Sequence, residues 1–117
     1  GFIMNIKEKM NMNIKDTSKK ITIRGIEFIW KFSMASLYDL MSKFNYESEL
    51  DIIQKIKTGN IITMLEIFYV GIIWKDEEVD FRDFLIFVEV DDAITVIKDF
   101  LTKNLNDYLP KKKDLMK

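Results

Sequence analysis

The chain contains no cysteine and no histidine. The first absence excludes disulfides, a thiolate nucleophile and a zinc finger. The second leaves the serines without an imidazole base. Proline occurs once, at Pro110, and Gly25, Gly59 and Gly71 stand apart from one another, so no glycine-rich phosphate loop is formed. No apolar run reaches the length of about 20 residues that a membrane span needs. The longest, Ile61 to Trp74, has fourteen residues and is interrupted by Thr63 and Glu66. No continuous apolar stretch of a secretory leader precedes it. An excess of one charge is missing too. Eighteen basic and nineteen acidic residues leave a net charge of −1, with a pI of about 5.5. A nucleic-acid binder usually carries a basic excess. Neither nucleic acid nor membrane is expected as a partner, and no cofactor or metal is expected.

What is present is apolar and aromatic. Nearly half of the 117 residues are hydrophobic, with nine Phe, four Tyr and two Trp. That suffices for one core, and the length suits one domain. Ile21 and Ile23 alternate with Thr22 and Arg24; Ile26, Phe28, Trp30 and Phe32 continue the alternation after Gly25. The pattern predicts a β-hairpin, with Gly25 supplying a positive φ at the turn. Ser33 then predicts a helix N-cap, and Leu37, Leu40, Met41 and Phe44 make one stripe up to about Asn45. Ser48 predicts a second cap, with Gly59 ending that helix in the left-handed region. Asn60 predicts a third helix, Ile61 to about Trp74, apolar on nearly every side and therefore central. Asp80 predicts a fourth, Phe81 to about Val90. Asp91 or Asp92 predicts a fifth, reaching Tyr108 with the stripe Ile94, Ile97, Leu101, Leu105 and Tyr108. The fold class is α+β: an N-terminal β-hairpin packed on a mainly helical domain of about five helices, residues 19–109. Residues 1–18 are expected as a flexible arm, although Ile6, Met10 and Ile14 are spaced for a helical stripe. Residues 110–117 are expected as a basic tail.

Three segments carry a resemblance. ITIRGIEFIWKFSMASLYDLMSKF reads as a hairpin, a Phe, a small polar residue, a Met and a Leu-rich helix. IITMLEIFYVGIIWKDEEVDF reads as a central helix followed by an acidic, helix-capping stretch. EVDDAITVIKDFL reads as a last helix with an entry Asp. Together they resemble the tail assembly chaperones of long-tailed phages and prophages, from Lys19 to about Tyr108. The resemblance implies a non-enzymatic protein of the bacterial host cytoplasm. Such a protein binds the tape measure protein while the tail tube is built, and it self-associates. Two alternatives stand beside it: a structural tail component that stays in the virion, and an inhibitor protein of mobile elements that binds a host protein.

The polar clusters have simpler readings than catalysis. Asp76, Glu77, Glu78, Asp80 and Asp83 lack the alternating oxygens and the glycine of a calcium loop; negative charge at a helix N-terminus accounts for them. Glu89, Asp91 and Asp92 are neighbours at a helix start, not carboxylates facing across a cleft. Trp30, Tyr69 and Trp74 occur at core spacing. The candidate partner surface is Ile86, Phe87 and Val90. At 100° per residue these fall opposite the face of Phe81, Phe84, Leu85 and Val88. One face is expected in the core and the other exposed; the alternative is a central helix with both faces buried.

Overall fold

Two positive backbone torsions make the first turn. In the computed structural model, which describes residues 3–109, Arg24 (φ 50°) and Gly25 (φ 82°) join β1 (Lys19–Ile23) to β2 (Ile26–Trp30). The strands are antiparallel, with Ile23 opposite Ile26 and Lys19 opposite Trp30. A two-residue loop with both φ values positive matches the right-handed twist of the strands. Arg24 thus shares the strained conformation that the sequence assigns to Gly25 alone. Ile21, Ile23, Phe28 and Trp30 form the buried face of the hairpin.

The sheet has a third strand that periodicity did not predict. The central helix, α4 (Ile61–Gly71), stops three residues short of Trp74, and Ile72–Ile73 become β3. This strand pairs antiparallel with β2, Ile29 opposite Ile73 and Trp30 opposite Ile72, giving the order β1-β2-β3. Trp30 is the cause. Its indole lies directly against Gly71, where any Cβ would collide with the ring. Its Nε1 donates to the Phe68 carbonyl at 2.8 Å. The Lys31 amide donates to the Gly71 carbonyl at 2.9 Å. The free edge of β2 therefore captures two β-branched residues that would otherwise continue the helix. Ile73 also covers Ile29, the one apolar side chain on the outer face of β2.

The other helices follow their caps. Residues 6–17 are helical in place of the irregular arm expected there. α1 (Ile6–Thr17) begins where the Asn5 side chain accepts from the Glu8 amide at 2.9 Å and donates to the Glu8 carboxylate at 2.7 Å. None of its residues is buried. α2 (Met34–Lys43) follows Ser33, but the closing bond runs from the Ser33 amide to the buried Ser36 hydroxyl at 3.0 Å. α3 (Glu49–Thr58) is capped by Ser48, which accepts from the Asp51 amide. Gly59, expected in the left-handed region, is extended (φ −62°, ψ 140°). Its need for glycine is steric, since a Cβ would strike the Lys55 carbonyl. Asn60 caps α4 through the Thr63 amide.

α5 (Phe81–Phe87), capped by Asp80, ends at Val88 (ψ 123°), before the expected Val90. α6 spans residues 90–104: an α-helical turn Val90–Asp92, a π-helical segment Ala93–Ile97, and an α-helical end Lys98–Asn104. Its N-cap is Glu89, not Asp91 or Asp92; the Glu89 amide donates to the Asp92 carboxylate at 3.2 Å. The wider π turn shifts the helical phase. Ala93, Ile97, Phe100, Leu101 and Leu105 face inward, while Ile94, expected in the stripe, is about half exposed. A 3-10 turn, Leu105–Asp107, completes the described fold.

The core is aromatic and centres on α4, which touches α2, α3, α5 and α6. Phe68 stacks between Trp30 (6.3 Å, 11°) and Phe84 (6.0 Å, 23°). Phe28 and Phe100 meet it edge-on. Such offset and edge contacts suit the ring quadrupole. Among the described residues, then, the fold is α+β with six helices and one three-stranded antiparallel sheet.

Candidate partner-binding surface

The corner between α5 and α6 separates apolar side chains into two sets. Phe84 is buried against Phe68, Phe28 and Tyr69. Phe87 joins that inner set. Its ring lies 6.1 Å from Phe28 and 6.5 Å from Phe84, and it is half-buried. Ile86 and Val90 form the outer set, each 69% exposed. The structure therefore keeps two of the three predicted surface residues outside and turns Phe87 inward. Phe87 still belongs to α5, about 60° from Phe84, and the count fails only for Val90. Val88 leaves the helical region, so a 100° step cannot be carried from Phe81 through to Val90. Phe87 follows Phe84 by three positions, inside the reach of the same core face.

Two further apolar side chains border this corner. Arg24 at the hairpin tip approaches the Glu89 carboxylate at 3.7 Å and that of Asp92 at 3.8 Å. These pairs hold the tip, with the half-exposed Ile26, beside the start of α6. Ile94 stands one turn beyond Val90. Sequence reasoning missed both. Ile26 lies on the core parity of β2, opposite Ile23, but as the first residue after the turn, a position legible in principle from Gly25. Ile94 is released by the π segment, which leaves no sequence signal. Ile26, Ile86, Val90 and Ile94 are thus exposed apolar side chains of the hairpin tip, α5 and the start of α6, with Arg24, Glu89 and Asp92 paired between the tip and α6. They offer apolar contact and a mixed-charge edge.

The other polar groups are engaged structurally. The Tyr69 hydroxyl donates to the Val79 carbonyl at 2.6 Å and lies 3.2 Å from the Glu78 carboxylate. Burial first, and then the charge of Glu78, push its pKa above the usual tyrosine value. The Tyr46 hydroxyl donates to Glu66 at 2.9 Å and is raised for the same reasons, burial leading. Lys43 pairs with Glu78 at 3.6 Å, tying α2 to the acidic loop. Asp80 accepts from the Asp83 amide. Among the described residues, no group of three His, Cys, Asp or Glu is placed to hold a metal ion. Ser36 donates to the Lys31 carbonyl at 3.2 Å and accepts from Ser33. Trp30 and Tyr69 are core, and Trp74 packs between Phe28 and Tyr69.

One concave feature lies elsewhere. A groove of about 300 Å³ runs between α3, α4 and the end of α6, floored by Ile56, Met64, Ile67 and Leu101. Lys55 at its rim is held by Asp51 at 3.3 Å and over the Tyr46 ring at 4.2 Å. Among the described residues, no helix is long and apolar enough to cross a membrane. The basic run Lys111 to Lys113, and the tail to which it belongs, lie outside the described residues. The chain matches no protein-family model, no curated protein and no solved structure.

Proposed function

We propose that this protein is a non-enzymatic, self-associating phage or prophage tail assembly chaperone, acting in the cytoplasm of the bacterial host. Its role is to hold apolar segments of the tape measure protein during tail morphogenesis. The observation that carries this reading is the exposure of Ile86 and Val90 beside a densely packed aromatic core. A folded domain of this size has the means to bury such side chains, yet these two project outward. The resemblance of the hairpin, central helix and last helix to tail assembly chaperones supplies the class of partner.

Magnitude also suits a transient holder. Fully burying an Ile or Val side chain contributes roughly 1.5–3 kcal/mol. Association itself costs about 4–15 kcal/mol. Four partly exposed aliphatic residues therefore give weak, reversible capture, as a chaperone that must release its client requires.

The test uses the full chain and apolar segments of a tape measure protein. Ile86→Glu and Val90→Glu are expected to stay folded by circular dichroism and to weaken capture at least tenfold. Phe87→Glu is expected to lose several kcal/mol of stability, because it places a carboxylate among Phe28 and Phe84. Folded Ile86→Glu and Val90→Glu variants with undiminished capture would refute the assignment of this surface.

A further inference from the structure

We propose that the chain forms a reciprocal dimer in which α1 of one protomer lies antiparallel across α2 of its partner. The inference deepens the self-association in the reading above and takes from it nothing about the tape measure protein. It starts from a helix without a home. α1 has twelve residues and buries none of them, and an isolated helix of that length is marginal in water. Ile6, Met10 and Ile14 lie within about 80° on one of its faces, at 100° per residue. Ile6 is 76% exposed and Met10 60%.

α2 presents the matching feature. Ser36 and Leu40 point into the core. Met34, Tyr38 and Met41 lie nearly opposite them, within about 60° of one another. Met34 and Tyr38 are 76% and 71% exposed. At 1.5 Å per residue the two stripes run about 12 and 10 Å, so they cover each other with little left over.

Charge sets the direction. Lys7 and Lys9 occupy the first half of α1. The acidic loop of Asp76, Glu77 and Glu78 is tied to the C-terminal end of α2 by the Lys43–Glu78 pair. Antiparallel docking brings those lysines to that loop, with Ile6 over Met41, Met10 over Tyr38 and Ile14 over Met34. The two helix dipoles are then opposed as well.

The proposed partner is a second copy, since both stripes stand exposed in the folded protomer. Ser18 alone separates α1 from β1. Thr17 is pinned by the Tyr108 hydroxyl, which donates to its carbonyl at 2.6 Å, and by the Lys31 ammonium, which donates to its hydroxyl at 2.7 Å. These ties fix the end of α1 in the protomer, where none of its residues is buried. A reciprocal exchange buries both stripes twice and closes with two-fold symmetry, so it stops at the dimer.

The natural absence of cysteine makes the test clean. Met10→Cys and Tyr38→Cys are made singly in the full chain, mixed, and mildly oxidised. The proposal expects a covalent dimer in the mixture and little in either variant alone. Sedimentation of the unmodified chain should give twice the 13.9 kDa protomer mass, and Tyr38→Glu should weaken the dimer at least tenfold while remaining folded. Cross-linking confined to Met10→Cys alone, or to Tyr38→Cys alone, would overturn the pairing. So would a monomer with no cross-link, or an intramolecular bridge in the double variant. Ile86→Glu serves to separate the two ideas. It should leave the dimer intact, so loss of dimerisation with client capture retained sinks this inference and not the proposed function.

Discussion

At the scale of the residue, Gly71 and Trp30 are one feature shared between a helix and a strand. Gly71→Ala inserts a methyl group into the indole. Overpacking of that kind costs about 1–3 kcal/mol. The variant should melt several degrees lower, and Trp30→Phe in the same background should recover part of the loss. Failure of the second substitution to help would place the strain elsewhere. Three tyrosines, Tyr46 and Tyr69 buried and Tyr108 half-buried, predict a second behaviour. Tyr46, Tyr69 and Tyr108 are all raised above the ordinary value of about 10, burial being the leading cause each time. A raised folded-state value means that the native protein holds these protons longer than the unfolded chain. Their contribution is complete below about pH 10 and is lost as pH rises beyond it. Urea melts should thus be flat from pH 8 to about 9.5 and fall above about 10. Tyr46→Phe should blunt the fall; an unchanged slope would remove Tyr46 from the account.

At the scale of the element, α1 is separable. It gives the folded protomer two hydrogen bonds accepted by Thr17, each worth about 1 kcal/mol. A chain beginning at Lys19 is expected to lose no more than about 2 kcal/mol, when compared with the full chain at concentrations too low for dimers. A larger loss would show that α1 supports the core of its own protomer. The elements also show which signals are local enough to read from sequence. Ser48, Asn60 and Asp80 each accept from an amide three residues on, so these three caps were legible from the local sequence. The helix over residues 6–17 was half-legible: the Ile6, Met10 and Ile14 spacing was visible, and the Asn5 cap went unread. β3 was not legible. Ile72 and Ile73 suit either helix or strand, and the deciding group, the Trp30 indole, lies far back in the chain.

At the scale of the whole molecule, one aromatic core fastens every element except α1. No metal or cofactor is expected to contribute, so thermal melts with and without EDTA should coincide; a chelator-dependent drop of several degrees would contradict this. The candidate surface was legible to the extent that local geometry held. Ile86 projects outward as its spacing implied, and Val90 is equally exposed although the corner at Val88 ends the count before it. Phe87 does not, because on α5 it lies about 60° from Phe84 and shares its core face. The long ties of the core also set a timetable for folding. The hairpin closes between adjacent residues. The Trp30 bond to Phe68 spans 38 positions and the Tyr108 bond to Thr17 spans 91. Closing the longer loop costs about 0.8 kcal/mol more if both form from open chain. The hairpin should therefore be present early, with the docking of α4 on Trp30 following and the Tyr108 tie last. Substitutions at Arg24 and Gly25 then slow refolding, whereas Tyr108→Phe mainly hastens unfolding. Trp30, solvated until α4 arrives, reports the middle step by its fluorescence.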